Sequence, residues 1–75
     1  MEKHILIEVA NREINHLVYD NLDNAKAALY ALYEEARDNN GIDPLDINKC
    51  WISEDNDAAC ISEWDCQYDW AIISV

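Results

Sequence analysis

The sequence predicts a small α+β domain of order ββαβββ, with one helix packed on one face of an antiparallel sheet. Three observations predict this fold class. Alternating apolar residues open the chain, a run of strong helix formers follows, and short β-type segments separated by acidic turns complete it. With 75 residues, 51% of them apolar, we expect one ordered domain over residues 1–75.

The first two strands are predicted at residues 4–10 and 13–20. A two-residue turn at Asn11 and Arg12 places Ala10 opposite Glu13 and so fixes the register of the hairpin. In that register six residues share what we expect to be the core face: Ile5, Ile7, Val9, Ile14, His16 and Val18. We therefore expect a buried His16, an exposed His4, and Leu6 with Leu17 on the second face.

A helix is predicted from Leu22 to residue 38 or 39. Asn21 is a good N-cap, and the pair Asn40 and Gly41 ends the helix through a left-handed residue. Apolar residues recur at helical spacing, which predicts a buried stripe of Leu22, Ala25, Leu29, Leu32 and Ala36.

Three further strands are predicted at residues 47–54, 58–63 and 68–74, joined by acidic turns at 55–57 and 64–67. Both faces of the last strand are apolar, because Trp70 and Ile72 point one way while Ala71 and Ile73 point the other. One helix covers one sheet face. The second face then requires cover from this chain, from a second copy, or from a partner.

The cysteines and histidines give no recognisable metal or catalytic motif. Cys50, Cys60 and Cys66 form no CxxC pair, and the two histidines lie outside zinc-finger spacing. One glycine excludes a glycine-rich phosphate loop. We therefore expect no cofactor, no metal and no enzymatic activity, and we interpret the cysteines as small, reduced, buried hydrophobes. A thiol enzyme is the least favoured alternative.

Charge is the most informative signal. Sixteen acidic residues against five basic ones give a net charge of -11, which argues against direct binding to nucleic acid or to an anionic membrane. No membrane span or signal peptide is expected. Residues 42–75 hold eight acids and one base, and these acids lack cationic partners within the chain. The predicted partner-binding residues are Asp43, Asp46, Glu54, Asp55, Asp57, Glu63, Trp64, Asp65 and Asp69.

In size, charge and order of elements, the chain resembles the small acidic inhibitors of phages and mobile elements, including anti-CRISPR proteins that imitate DNA. That resemblance implies a non-catalytic inhibitor in the bacterial host cytoplasm. Its carboxylates would replace phosphates on a basic nucleic-acid-binding protein, such as an RNA-guided CRISPR effector. The resemblance matches no sequence motif, so it assigns no role to a particular residue. Two alternatives stay open: an immunity protein or antitoxin that neutralises a toxin, and an accessory homodimer whose acidity serves solubility.

Overall fold

The computed structural model describes residues 3–63 and 66–75. In chain order its elements are β1 (His4–Ala10), β2 (Glu13–Tyr19), α1 (Leu22–Asn39), β3 (Cys50–Ile52), β4 (Ala58–Glu63) and β5 (Cys66–Ser74). The strands form one antiparallel sheet in the order β2-β1-β5-β4-β3, and α1 packs on one of its faces. This confirms the predicted α+β class and the order ββαβββ. Within the described residues, no helix is long and apolar enough to cross a membrane.

The β1–β2 hairpin has the predicted register, with Ala10 opposite Glu13 and His4 opposite Tyr19. Asn11 and Arg12 form its turn at φ angles of 51° and 77°. Two successive left-handed residues define a type I′ turn, whose twist matches that of the flanking strands. Asparagine tolerates this conformation at the first position, whereas Arg12 stands at the second position, where such turns usually have glycine.

Helix α1 begins and ends within the predicted limits. The Asn21 side chain accepts hydrogen bonds from the backbone N–H groups of Asp23 (2.8 Å) and Asn24 (3.4 Å), as an N-cap does. Gly41 follows at φ 64°, the predicted left-handed residue after the helix. Of the predicted stripe, Ala25 and Leu29 are fully buried and the other three residues are partly buried. The stripe omitted Tyr33, which is only 3% exposed.

The predicted core face of the hairpin is wrong. Leu6, on the opposite face, is 1% exposed, whereas Ile14 and Val18 are 74% and 56% exposed. The cause is the pairing of β1 with β5, which sets Leu6 opposite Ile72 and Glu8 opposite Trp70. Trp70, the largest of these side chains, lies beneath the helix, so the face it shares with Leu6 becomes the core.

The two histidines exchange their predicted environments as a result. His16 lies on the uncovered face and is exposed. His4 is 7% exposed, and its Nδ1 is 2.8 Å from the Ser74 hydroxyl oxygen across the β1–β5 pair. The expectations of a buried His16 and an exposed His4 were therefore both wrong, because the pairing of β1 with β5 buries the opposite face of the hairpin.

The last three strands follow the prediction with changed boundaries. β4 has the predicted bounds, and β5 begins two residues earlier than expected, at Cys66. The predicted strand at 47–54 reduces to Cys50–Ile52, because the backbone N–H groups of Lys49 and Cys50 donate to the Asp46 carbonyl in tight turns. Those turns keep the preceding residues out of the sheet.

The second sheet face stays uncovered in the part of the chain that the structure describes. Strand register assigns fourteen residues to this surface, which we call the open face: Ile5, Ile7, Val9, Ile14, His16, Val18, Trp51, Ala58, Cys60, Ser62, Gln67, Asp69, Ala71 and Ile73. The described residues of this chain therefore do not cover the open face, which leaves a second copy or a partner as possible cover. The helix-side core is a single cluster around Leu6, Leu29, Ile61 and Trp70.

Candidate partner-binding surfaces

The predicted acidic residues occupy two opposite ends of the sheet rather than one patch. Asp43 and Asp46 lie in the segment before β3, residues 43–49, which we call the acidic loop. Glu54, Asp55 and Asp57 lie after β3, in residues 53–57, which we call the acidic turn. The strand β3 separates the two segments, and the extended chain at 49–53 spans about 14 Å, at about 3.4 Å per residue.

The other predicted site residues lie elsewhere. Asp69 is exposed on the open face, opposite Val9 of β1 and Cys60 of β4. Glu63 ends β4, at the end of the sheet from which the acidic loop enters β3. Its side chain, and the whole of Trp64 and Asp65, lie outside the described residues, so the predicted contact role of Trp64 stays a prediction. The aromatic ring exposed on the sheet is that of Trp51, which is 51% exposed.

The acidic turn is held rigidly by Ser53. Its hydroxyl oxygen accepts from the backbone N–H groups of Asp57 (2.9 Å) and Ala58 (3.0 Å), and the hydroxyl donates to the Asp57 carboxylate at 2.7 Å. Asn56 adopts φ 58°, so the chain reverses within five residues. Glu54 and Asp55 project from the tip of the turn and are exposed. The turn thus presents their carboxylates on an ordered backbone.

The acidic loop is ordered by its own carboxylates. The Asp43 side chain accepts from the Leu45 N–H at 2.9 Å, and the Asp46 side chain accepts from the Asn48 N–H at 3.2 Å, which are two Asx turns. Beneath them the buried Cys50 thiol lies 3.5 Å from the carbonyl oxygens of both aspartates. Each aspartate uses one carboxylate oxygen to shape the loop.

Two apolar side chains of the acidic loop were missed by the sequence analysis. Leu45 is 86% exposed and Ile47 is 81% exposed, beside Asp43 and Asp46. Single exposed apolar residues are common on protein surfaces, and here two of them are separated by one residue in the same loop. Ile47 was assigned to a strand. The available signal was its position among Pro44, Asp46 and Asn48, a composition typical of turns.

The described cations neutralise little of this charge. Lys3 pairs with Asp20, and this pairing lowers the pKa of the Asp20 carboxyl. Arg37 contacts Asp38 at 3.5 Å and lies over the Tyr33 ring at 5.5 Å. Even if each of the five basic residues neutralised one acid, eleven of the sixteen would keep an uncompensated charge. Folding therefore leaves a strong negative field around the protein.

The two cysteines whose side chains the structure describes, Cys50 and Cys60, show packing rather than nucleophilic chemistry; the side chain of Cys66 lies outside the described part. Cys50 is buried, as expected, and Cys60 is half-buried. Burial raises the pKa of the Cys60 thiol to about 11, and a hydrogen bond to the Asp69 carboxylate adds to the effect. Such a thiol is protonated near neutral pH, the reverse of what a reactive cysteine needs. Among the described residues, no group of three or more His, Cys, Asp or Glu side chains is placed to hold a metal ion.

This pKa predicts a loss of stability at alkaline pH. Between the ordinary value of 9.0 and about 11, the unfolded chain releases the Cys60 proton while the folded protein retains it. The folded state binds more protons in that range, so the free energy of unfolding falls as the pH rises. We expect urea titrations from pH 8 to 11 to show this decline, and Cys60→Ala to flatten it. An unchanged slope in the variant would assign the decline to other groups.

Comparison with known proteins gives no match to this chain among family models, curated proteins or solved structures. What the protein does is therefore inferred from its own residues.

Proposed function

We propose that this protein is a non-catalytic acidic inhibitor that binds the cationic nucleic-acid-binding surface of a bacterial protein, and that the acidic loop is its principal contact. The partner class includes RNA-guided CRISPR effectors, and the site of action is the bacterial cytoplasm. Neither direct nucleic-acid binding nor a membrane has a part in this function.

The observation that carries the proposal is the composition of the acidic loop. Asp43 and Asp46 present carboxylates beside the exposed side chains of Leu45 and Ile47. Solubility alone explains the carboxylates but gives no reason to expose two large apolar residues. Apolar contacts within a charged rim are the usual anatomy of a protein–protein interface.

The acids would act by substituting for phosphates. Charge-assisted hydrogen bonds from arginine or lysine to a carboxylate are about twice as strong as neutral ones. The long-range field of eleven excess charges would speed association and make it sensitive to salt. Leu45 and Ile47 would then slow dissociation, because apolar contacts act mainly on the off-rate.

The test uses neutral isosteres, so that the shape of the loop survives. Asp43→Asn with Asp46→Asn retains the two side-chain acceptors that hold the Asx turns and removes two charges. The matched control, Glu54→Gln with Asp55→Asn, removes two charges from the acidic turn. Tagged wild type and both variants are exposed to bacterial lysate containing an RNA-guided effector, at low and high salt, with and without competing duplex DNA.

We expect the wild type to retain a nucleic-acid-binding protein that duplex DNA displaces and that high salt releases. The loop variant should bind about 10- to 100-fold more weakly, at about 1.4 kcal/mol per factor of ten, while the control changes little. Equal loss in both variants would assign binding to overall charge. Retention of nothing specific at low salt would contradict the proposal.

An immunity protein or antitoxin is the second candidate, since the same loop chemistry suits a cationic toxin. Capture of a toxin that DNA does not displace would favour it. A homodimer is compatible with either function, because the acidic loop lies outside the open face.

A further inference from the structure

The open face has the composition of a protein interior. In a chain with 28% charged residues, the face carries one carboxylate, that of Asp69, and one histidine, His16. Its exposed apolar side chains include Ile14 at 74%, Val18 at 56% and Ile73 at 47%. A contiguous apolar surface spanning five strands marks an interaction site.

The face has a ridge on one half and a hollow on the other. The isoleucines and valines of β1 and β2 form the ridge, which we define as Ile5, Ile7, Val9, Ile14 and Val18. Toward β4 the small residues Ala58, Cys60 and Ala71 line a depression, which is bounded by Trp51 on its far side and by the ridge residues Ile7 and Val9 on its near side. Ridge and hollow lie on opposite halves of one surface, an arrangement that a two-fold axis makes self-complementary.

We propose that the open face is the interface of a symmetric homodimer, in which the β1–β2 ridge of each copy packs into the β4–β5 hollow of the other. The two sheets then form a β-sandwich, with their strands within about 30° of each other and about 10 Å between the sheets. Both α1 helices lie on the outside. This inference does not depend on the function proposed above.

Charge distribution favours a second copy over a partner of opposite charge. The acidic loop and the acidic turn lie at the ends of the sheet, and the acids of α1 lie on the helix side. Two open faces therefore meet without opposing most of their carboxylates. A surface with one acid offers almost nothing for a cationic partner to recognise, whereas apolar burial needs no charge at all.

The area of the face agrees with a reversible dimer. Neighbouring strands are spaced about 4.8 Å apart, and a strand of about six residues is about 20 Å long at about 3.4 Å per residue. Five such strands have a projected area of roughly 500 Å² per copy. Corrugation by side chains raises the accessible area above that projection, toward the roughly 800 Å² per partner of a standard interface. We therefore expect a dimer that dissociates on dilution.

The test is sedimentation equilibrium over protein concentrations from about 1 μM to about 1 mM, a range that spans weak dissociation constants. We expect the mass to rise from 8.7 kDa toward twice that value. Ile14→Glu and Ile73→Glu introduce a charge on the open face at sites that are 74% and 47% exposed. Each should weaken the dimer by about 100-fold, equivalent to about 2.7 kcal/mol. The matched control is Ile47→Glu, at an 81% exposed residue of the acidic loop, and should leave it unchanged.

Circular dichroism at low concentration verifies that each variant folds. If the more central Ile73→Glu does not fold, Ile14→Glu alone tests the interface.

Asp69→Asn should strengthen the dimer, because it removes the one carboxylate that the face must desolvate. High salt should also strengthen the dimer, because it screens the repulsion between two chains of charge -11. In contrast, salt should weaken the complex with a cationic partner proposed above. A wild type that stays at 8.7 kDa throughout would overturn the proposal. So would a dimer that both face variants retain, since it would use another surface such as the edge of β2.

Discussion

Trp70→Ala is expected to remove most of the free energy of unfolding. The Trp70 ring is 2% exposed, stacks on Tyr68 with 5.4 Å between ring centroids, and meets Tyr33 edge-on at 6.1 Å. Truncating a buried tryptophan costs about 3–5 kcal/mol. Domains of this size have stabilities near the lower end of the usual range of about 5–15 kcal/mol. Circular dichroism during urea unfolding measures the loss.

The hydrogen bond of Trp70 can be separated from its packing. The indole Nε1 donates to the Glu8 carboxylate at 2.7 Å, so Trp70→Phe retains an aromatic ring but leaves a half-buried carboxylate without its donor. We expect Glu8→Gln to cost less than Trp70→Phe, because the amide oxygen still accepts the bond. Trp51→Ala, at a 51% exposed ring, is the matched control at concentrations that keep the protein monomeric. Equal losses from Trp51→Ala and Trp70→Ala would contradict the assignment of Trp70 to the core.

Leu29→Ala is expected to have the next largest effect. Leu29 lies on the sheet-facing side of α1, is fully buried, and belongs to the same core cluster as Leu6, Ile61 and Trp70. Removing its side chain leaves a cavity under the helix and costs about 2–5 kcal/mol. Denaturant titration should show a lower midpoint with an unchanged slope, since the surface exposed on unfolding hardly changes.

Leu45→Ala is the matched control for Leu29→Ala, because it removes the same side chain from an exposed position. Leu45 is 86% exposed in the acidic loop, so its truncation should alter the free energy of unfolding by less than about 0.5 kcal/mol. The same variant should weaken the proposed inhibitory complex. A Leu45→Ala protein as unstable as Leu29→Ala would show that the loop side chain packs against the core and is not available to a partner.

The local features of the fold could be predicted from the sequence. Asn21 caps the helix through its own side chain, and the turn at Asn11 and Arg12 fixes the hairpin register, so each depends on residues close in the chain. Which face of the hairpin is buried depends on a distant strand. Alternation in β1 favours the face of Ile5, Ile7 and Val9, yet the pairing of Leu6 with Ile72 buries the opposite face. Alternation alone contains no information on that pairing.

The candidate site, too, could be predicted from the sequence only in part. The excess of acidic residues could be read from composition, but their division between two ends follows from the short strand β3, which separates Asp46 from Glu54. Leu45 and Ile47 alternate with Asp46 as in a strand, so periodicity alone does not mark them as exposed loop residues. Their exposure results from Asx turns that hold the acidic loop away from the sheet.

The centre of the sheet is formed by strands from the two ends of the chain. β1 and β5 pair throughout, with His4 and Ser74 in contact although 70 positions apart, and Lys3 and Val75 exchange backbone hydrogen bonds at 2.7 and 2.8 Å. The hairpin and helix can form early, but β5 must enter between β1 and β4 before the core closes. Pairing across such a separation requires costly loop closure, so folding should be slow for the protein's size, on the order of milliseconds to seconds. The protein should gain its structure in one cooperative step once β5 is available, with no stably folded fragment beforehand.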